Sequence, residues 1–393
     1  MQVEGEASKP RKARLRVAIA TSGRFHVLDL ARELDALGVD VRFYSYVPRK
    51  RAEGFGLARH CHVALLPFLF PLVAIERFFP RLFPGAVERL MSWALDLLVI
   101  MRMRRCDVFI CMSGMYLQAP KFARWRYGAK VILHRGSRHI VSQAEIMARF
   151  RDANQVTRFI MDREIQGYEL ADRIAVPSTQ VAESFSAWPQ QAAKLFLSPY
   201  GVNLDEFGLR TGPSPSEPTL LFVGQWSYRK GVDVLTKAVE SLDGVRFVHV
   251  GALLDASFPH HPRFVHHEPV PQGELESFYH QAHVFVLASR EEGLALVQCQ
   301  ALACGLLLVC TDRTGGADLA EFPGLARLIR VVPADDVVAL RDALIRALGD
   351  ATGKTAVAPI TVAERQNLSW RAYATRHLEE LESLRCSGRT NAS

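Results

Sequence analysis

Cysteine is scarce in this chain of 393 residues, and none of its seven copies falls in a C-x-x-C pair. That spacing argues against a zinc ribbon or a redox dithiol. Cys299, Cys304 and Cys310 sit inside an apolar helix and strand pattern, where buried reduced thiols are expected. Long apolar runs are missing as well. The stretch His60 to Ile75 holds no Lys, Arg, Asp or Glu, yet it is too short to span a bilayer, and Pro67 and Pro71 interrupt it. No transmembrane helix is therefore expected. The opening segment MQVEGEASKPRKAR lacks the apolar core of a secretory leader, so the cytoplasm is the expected compartment.

What is present suits a folded protein of two ordinary domains: hydrophobic residues make up 49% and charged residues 23%. The net charge of +7 is unevenly spread. Residues 1–200 carry 30 Lys and Arg against 18 Asp and Glu, and the remainder 18 against 23. The basic excess of the first half points to an anionic partner such as a membrane surface, an anionic lipid or glycan, or nucleic acid. Residues 63–105 concentrate the case for a membrane. They are dense in Phe, Leu, Val and Met, and Arg77, Arg81, Arg89, Arg102, Arg104 and Arg105 punctuate them. A basic amphipathic element resting on a bilayer has this composition, and so do core-facing helices with solvated arginines. Few aromatic residues lie among the basic clusters, which weakens the nucleic-acid option.

The periodicity is that of alternating strands and helices. Arg16–Ala20 is a short apolar run, Thr21-Ser22-Gly23 a turn, and Leu30, Leu34 and Leu37 form a helical stripe closed by Gly38. Val39 to Tyr46 returns as a strand, completing a βαβ unit. Further strands are expected at 108–112, 130–133, 173–176 and 195–197. The segment FGLRTGPSPSEP, 207–218, breaks every period and marks a domain boundary. Beyond it the alternation restarts, with strands at 220–223, 245–250, 284–287 and 307–309 and helices at 232–242, 274–281 and 296–304. The fold class read from this is α/β, two tandem Rossmann-like domains facing across a cleft. The expected extents are 14–206 and 217–368, with a crossover helix in 369–386 packing back on the first domain.

Several motifs are decoys. Gly349 to Thr355 imitates a phosphate-binding loop but has three residues between its glycines where four are needed. Gly54-Phe-Gly56 lacks a third glycine and a preceding strand. His260-His261 and His266-His267 look metal-binding, but a strand through 263–267 would aim neighbours to opposite faces, so surface histidines are expected. Stronger signals follow two strands of the second half. LLFVG runs into Gln225-Trp-Ser-Tyr-Arg229-Lys230-Gly231 and then a helix, placing two cations at the carboxyl end of a strand. Ser289-Arg-Glu291-Glu292-Gly293 repeats the design, with Gln300 two turns down the next helix. Read without further knowledge, Glu292 could equally cap that helix.

Together, LFVGQWSYRKGVDVL and SREEGLALVQCQALACGL resemble the two C-domain signatures of family 4 of the retaining GT-B glycosyltransferases. ADRIAVPSTQVAESF with LFLSPYGVNLDEF resembles that family's lead-in to the interdomain linker. GRFHVLDLARELDALG and HRGSRH extend the likeness into the first half. The resemblance implies that Lys230 and Arg229 neutralise the diphosphate of a nucleotide-sugar. It implies that Glu292 holds hydroxyls of the transferred sugar and that the backbone of Gly293, Leu294 and Ala295 meets sugar and phosphates. Gln300 stands where the family has a ribose-binding glutamate. Gly23 would close over the phosphates, and His134 would reach the reacting centre. Two departures stand out: Gln225 where many members carry an arginine, and Gln300 itself. Arg24, Arg135 or Arg138 would be the substitutes for the missing cation.

The expected activity is transfer of a sugar from a nucleotide-diphosphate sugar to a hydroxyl on a glycan or lipid-linked glycan, with retention and without a metal or other cofactor. The alternative is a catalytically impaired nucleotide-sugar-binding protein of the same fold. Expected surroundings are the cytoplasm and the inner face of the cell membrane, in polysaccharide building, with no nucleic-acid partner.

Overall fold

The computed structural model describes residues 14–67, 86–149, 156–212, 214–353 and 357–390. Arg77, Arg81, Lys354 and Thr355 lie outside them. Thirteen strands are described: β1 Arg16–Ala20, β2 Asp40–Ser45, β3 His62–Ala64, β4 Val108–Met112, β5 Lys130–His134, β6 Arg173–Val176, β7 Leu195–Leu197, β8 Thr219–Val223, β9 Arg246–Val250, β10 Phe264–His267, β11 Val284–Leu287, β12 Leu307–Thr311 and β13 Ile329–Val332. One sheet runs β3-β2-β1-β4-β5-β6-β7 and the other β10-β9-β8-β11-β12-β13. The described strand pairs are parallel, as crossover helices require.

Each sheet therefore starts in its middle, winds outward to one edge, and then restarts on the other side of its first strand. That reversal is the signature of a doubly wound Rossmann-like sheet, and it leaves a crevice at the carboxyl ends of the two strands flanking it. In the second sheet those strands are β8 and β11. Both are fully buried, as are their apolar side chains Leu220, Leu221, Phe222, Phe285, Val286 and Leu287. Strands covered on both faces read as continuous apolar runs, which is why the sequence announces them.

The chain divides into two compact units. One holds the described residues up to Cys111 with Gln118–Val131; the other holds Met112–Leu117 and the described residues from Ile132 onward. In the first unit, the helix His26–Ala36 buries Val27, Leu28, Leu30, Ala31 and Leu34. In the second, Val232–Glu240 buries Val232, Val234, Leu235, Ala238 and Val239. Each valine or leucine among them contributes about 1.5–3 kcal/mol on burial.

The last helix, Trp370–Thr390, lies against strands of the first sheet that belong to the second unit. His377 stacks on His134 at the end of β5 with ring centroids 5.1 Å apart, and its Nδ1 lies 3.1 Å from the Ser198 hydroxyl. Arg173 of β6 donates to Glu380 at 2.6 Å, and Arg376 to the Pro199 carbonyl at 2.9 Å. Cys61, Cys106, Cys111, Cys299, Cys304 and Cys310 are free and buried. The imitation phosphate loop begins inside the helix Val337–Thr352 rather than after a strand.

Candidate active site

A cavity of about 440 Å³ opens at the crevice predicted by the strand order. Its wall is built from Gln225, Ser227 and Arg229 after β8, Asp255 after β9, Glu291, Glu292 and Gly293 after β11, and Gly136 and Ser137 after β5. All belong to the second unit.

The loop after β8 is riveted by Trp226, which is fully buried among Phe222, Phe247, His249 and Phe258. Its indole N–H donates to the Ser257 carbonyl at 3.1 Å. The chain then makes the single turn Tyr228–Lys230 and reaches Gly231 with φ 66°. A Cβ there would stand 2.0 Å from the Ala288 carbonyl oxygen, so only glycine lets the loops after β8 and β11 approach this closely.

That approach brings two cations onto two carboxylates. Lys230 Nζ pairs with Glu292. Arg229 Nη1 donates to the Glu291 carbonyl at 2.8 Å and lies 3.3 Å from its carboxylate and 3.5 Å from that of Glu292. Burial works against ionisation of Glu292, but Lys230 and then Arg229 outweigh it and hold its carboxyl below the ordinary range. Two residues before Glu292, Arg290 grips Asp233 through two bonds of 2.8 and 2.9 Å and Asp335 through one of 2.6 Å. Those bonds raise its pKa, Asp233 contributing most, and tie the turn to the helix behind it. Asp335 has φ 64°, a conformation aspartate tolerates better than most residues.

The turn after β11 also receives contacts from the loops after β5 and β6. Ser137 donates to Glu291, Gln180 to the Glu292 carbonyl, and Ser178 to the Gly293 carbonyl at 2.7 Å. A Cβ on Gly293 would stand 1.9 Å from the Gly136 carbonyl oxygen. The next helix, Leu296–Ala303, starts without a side-chain cap from Ala295, and the Gln298 N–H turns back to the Ala295 carbonyl at 3.0 Å.

Of the residues expected from the sequence, Arg229, Lys230, Glu292 and Gly293 meet here. Leu294 and Ala295 are buried behind them. Gln300 is buried on Leu296–Ala303, and its Oε1 accepts from the Tyr279 hydroxyl at 2.8 Å. His134 is buried on His377 and does not line the cavity. Gly23 lies in the first unit, in the turn after β1. The substitute cations are engaged elsewhere. Arg135 donates to Glu164 at 2.7 Å and Gln143 at 2.6 Å, Arg138 to Gln180 at 3.2 Å, and Arg24 stacks over Phe55 at 3.7 Å. Sequence reasoning passed over Ser137, Gln180 and Glu291, although HRGSRH and SREEG contain two of them.

His266 differs from its expected surface placement. It is half-buried, and its Nδ1 lies 3.0 Å from Nδ1 of the buried His249, whose Nε2–H donates to the Gly224 carbonyl. His249 must then accept from His266. Among the described residues, Asp35, His60 and Cys61 of the first unit hold their ligand atoms within 4.8 Å of one another. Burial, with Asp35 beside it, pushes the Cys61 thiol up to about 12, so it stays protonated without an ion.

Two family descriptions match the chain: a glycosyl transferase 4-like domain over residues 23–201 and glycosyl transferases group 1 over 217–350. The chain belongs to glycosyltransferase family 4. This family 4 chain is 28% identical over 194 residues to a D-inositol 3-phosphate glycosyltransferase of Arthrobacter sp. (strain FB24), covering 43% of this chain and 46% of that protein. It is 31% identical over 146 residues to the enzyme of the same name from Xylanimonas cellulosilytica, covering 30% and 34%. The matched stretch thus spans less than half of these curated relatives. Sucrose-phosphate synthase from Thermosynechococcus elongatus shares the fold with a TM-score of 0.68 at 18% identity, over 95% of this chain and 100% of that one. Anabaena Alr3699/HepE in complex with UDP and glucose does so with a TM-score of 0.63 at 11% identity, over 94% and 100%. The two Rossmann-like sheets are those of the GT-B fold.

Proposed function

We propose that this protein transfers a sugar from a nucleotide-diphosphate sugar to an acceptor hydroxyl with retention of configuration. The observation that carries the reading is the pairing of Lys230 with Glu292 and of Arg229 with Glu291 in a cavity at the β8–β11 switch point. A diphosphate placed there meets two cations and the open start of a helix, and sugar hydroxyls meet carboxylates that accept hydrogen bonds.

In the proposed reaction the bond between the anomeric carbon and the diphosphate oxygen breaks, and the acceptor oxygen bonds to that carbon from the same side. The acceptor proton passes to the departing phosphate. Negative charge grows on the diphosphate, so Lys230 and Arg229 act most strongly in the transition state. Glu292 orients Lys230 before the donor arrives and then shares it with the phosphate. Gln300 would meet the ribose, Leu294 and Ala295 would contribute backbone, and Gly23 would bind phosphate. His134, buried on His377, is assigned the positioning of the Gly136-Ser137 turn rather than a covalent step. No metal is invoked, and activity should persist in a chelator.

We further propose a glycan or lipid-linked glycan as acceptor and a peripheral seat on the inner face of the cell membrane, in polysaccharide biosynthesis. No helix among the described residues is long and apolar enough to cross a membrane. The support for a surface seat is the exposed side of the helix Ala86–Arg102, which shows Leu90, Trp93 and Met101 together with Arg89 and Arg102. Arg77 and Arg81 fall outside the described residues.

The test is a melting-temperature screen with UDP-, GDP- and ADP-sugars, because a ligand that binds only the folded state raises its stability by mass action. At least one should shift the transition, and donor should hydrolyse slowly without acceptor. No shift with any of them overturns the reading. A shift without hydrolysis or transfer favours an impaired nucleotide-sugar-binding protein, the reading that Gln225 and Gln300 support.

A further inference from the structure

At the amino ends of β1 and β2, in the first unit, a cavity of about 190 Å³ is lined by Arg16, Asp40, Arg42, Arg104, Arg105 and Cys106, together with Val17 and Ala18 of β1. Open α/β sheets bind their nucleotides at the opposite, carboxyl ends of the strands, so this recess is no part of a donor site.

Its arginines differ in what they are already bound to. Arg16 is committed to Asp107 through bonds of 2.5 and 3.1 Å. Arg42 gives one N–H to the His60 carbonyl at 2.6 Å. The exposed side chains of Arg104 and Arg105 make no hydrogen bond or ion pair among the described residues. The Tyr44 hydroxyl accepts the Arg104 backbone N–H at 3.1 Å and donates to the Arg102 carbonyl at 3.3 Å, fixing the chain here while the guanidinium groups stay unused. Asp40 is the one carboxylate in the lining, so the recess keeps a positive surplus.

The helix Ala86–Arg102 ends at this recess. Along its outer side Leu90, Trp93 and Met101 recur on one stripe, Trp93 at 59% and Met101 at 67% exposure. The helix Gln118–Tyr127 packs beside it: Asp96 accepts from the Gln118 and Ala119 N–H groups at 3.0 and 2.8 Å. From that second helix Trp125 projects, 79% exposed. Tryptophans with polar ends and arginines that fork onto phosphate are the residues that settle at a lipid–water boundary.

We propose that this recess holds the phosphate of an anionic phospholipid headgroup, while Leu90, Trp93, Met101 and Trp125 rest in the boundary beside it. The proposal rests on the membrane seat argued above and gives it a defined headgroup site. Arg104 and Arg105 would clasp the phosphate oxygens, with Arg42 behind them.

Flotation of the full chain with phosphatidylcholine vesicles, with and without about one third phosphatidylglycerol, tests it. Wild type should partition to the anionic vesicles. Arg104→Ala with Arg105→Ala should lower partitioning by about 25-fold, taking about fivefold per arginine. Arg104→Lys with Arg105→Lys keeps the charge but loses the planar fork, and should lower it by about tenfold. Unchanged melting temperatures would show that both pairs fold. If the lysine pair binds like wild type, diffuse charge suffices, and the recess is overturned while the membrane seat stands. If wild type shows no preference for anionic vesicles, both fall. If inorganic phosphate raises the melting temperature and vesicles recover nothing, the recess takes free phosphate and the lipid proposal is overturned.

Discussion

The cations after β8 and β11 and the arginines just before β4 are equally charged but differently kept. Lys230, Arg229 and Arg290 each have a carboxylate within reach, supplied by Glu292, Glu291, Asp233 and Asp335. Arg104 and Arg105 form no such pair among the described residues. A cation held by an acid is oriented before a ligand comes and loses part of its grip to that acid, which suits a diphosphate that must leave after every turnover. An arginine without an acid binds the first phosphate it meets and has no built-in competitor, which suits lasting attachment to a surface.

The widest consequence of that difference lies at Lys230. Replacing it with alanine removes a charge the proposed transition state needs and leaves Glu292 without its nearest cation. Lys230→Ala should lower turnover by about 100-fold or more. Vesicle partitioning should stay as in wild type, because Lys230 belongs to the second unit and the recess to the first. Steady-state turnover and flotation on the same preparation check both halves. Turnover near the wild-type value would remove Lys230 from the site and dissolve the contrast.

Much of the frame that carries this contrast is legible in the sequence alone. Continuous apolar runs locate β1, β4, β8, β11 and β12 within a residue or two, because strands buried on both faces leave little room for polar residues. Expected helices such as 232–242 also end close to their observed limits, at Val232–Glu240. What was not legible depends on contacts between segments far apart in sequence. Ser137 meets Glu291 across 154 positions and Gln180 meets the Glu292 carbonyl across 112. A lone serine and a lone glutamine carry no periodic signal for that. β3, three residues long, is paired at a sheet edge and is too short to show alternation. His266 reads as a surface residue until His249 is seen beneath it.

A smaller effect separates the units by acidity. Burial lowers His139 and His249 to about 4 and His377 to about 3, all three in the second unit. In the first unit burial also lowers His62. A histidine whose folded pKa lies below its ordinary value of 6.5 resists protonation only in the folded state. Its contribution is therefore complete above about pH 6.5 and is lost as pH falls toward 4 and 3. Glu292, also held low, adds loss in the same direction below the ordinary carboxylate range. Hydrogen exchange followed from neutral pH down to about 4.5 should open the second unit first. Earlier opening of the first unit would reverse the assignment.

The smallest expected effect concerns Gln300, and it asks whether pairing extends from the phosphate cations to the proposed ribose contact. Its Oε1 is already taken by the Tyr279 hydroxyl at 2.8 Å, which leaves the amide N–H groups as donors to a ribose oxygen. Gln300→Ala removes both relations and strips the buried Tyr279 hydroxyl of its closest partner; the Val297 carbonyl at 3.5 Å is a weak replacement. Nucleotide affinity should fall by about 1–2 kcal/mol, and stability by a similar amount. Gln300→Glu can still accept from Tyr279 and from a ribose hydroxyl, so it should change affinity by less than about 1 kcal/mol. Tyr279→Phe separates the two causes, because it removes the hydroxyl and leaves the amide in place. Calorimetry with nucleoside diphosphate on the two single variants and the double variant gives their coupling. If Gln300→Ala costs stability but no affinity, Gln300 serves Tyr279 alone and the nucleotide is held by the Lys230 and Arg229 side of the cavity.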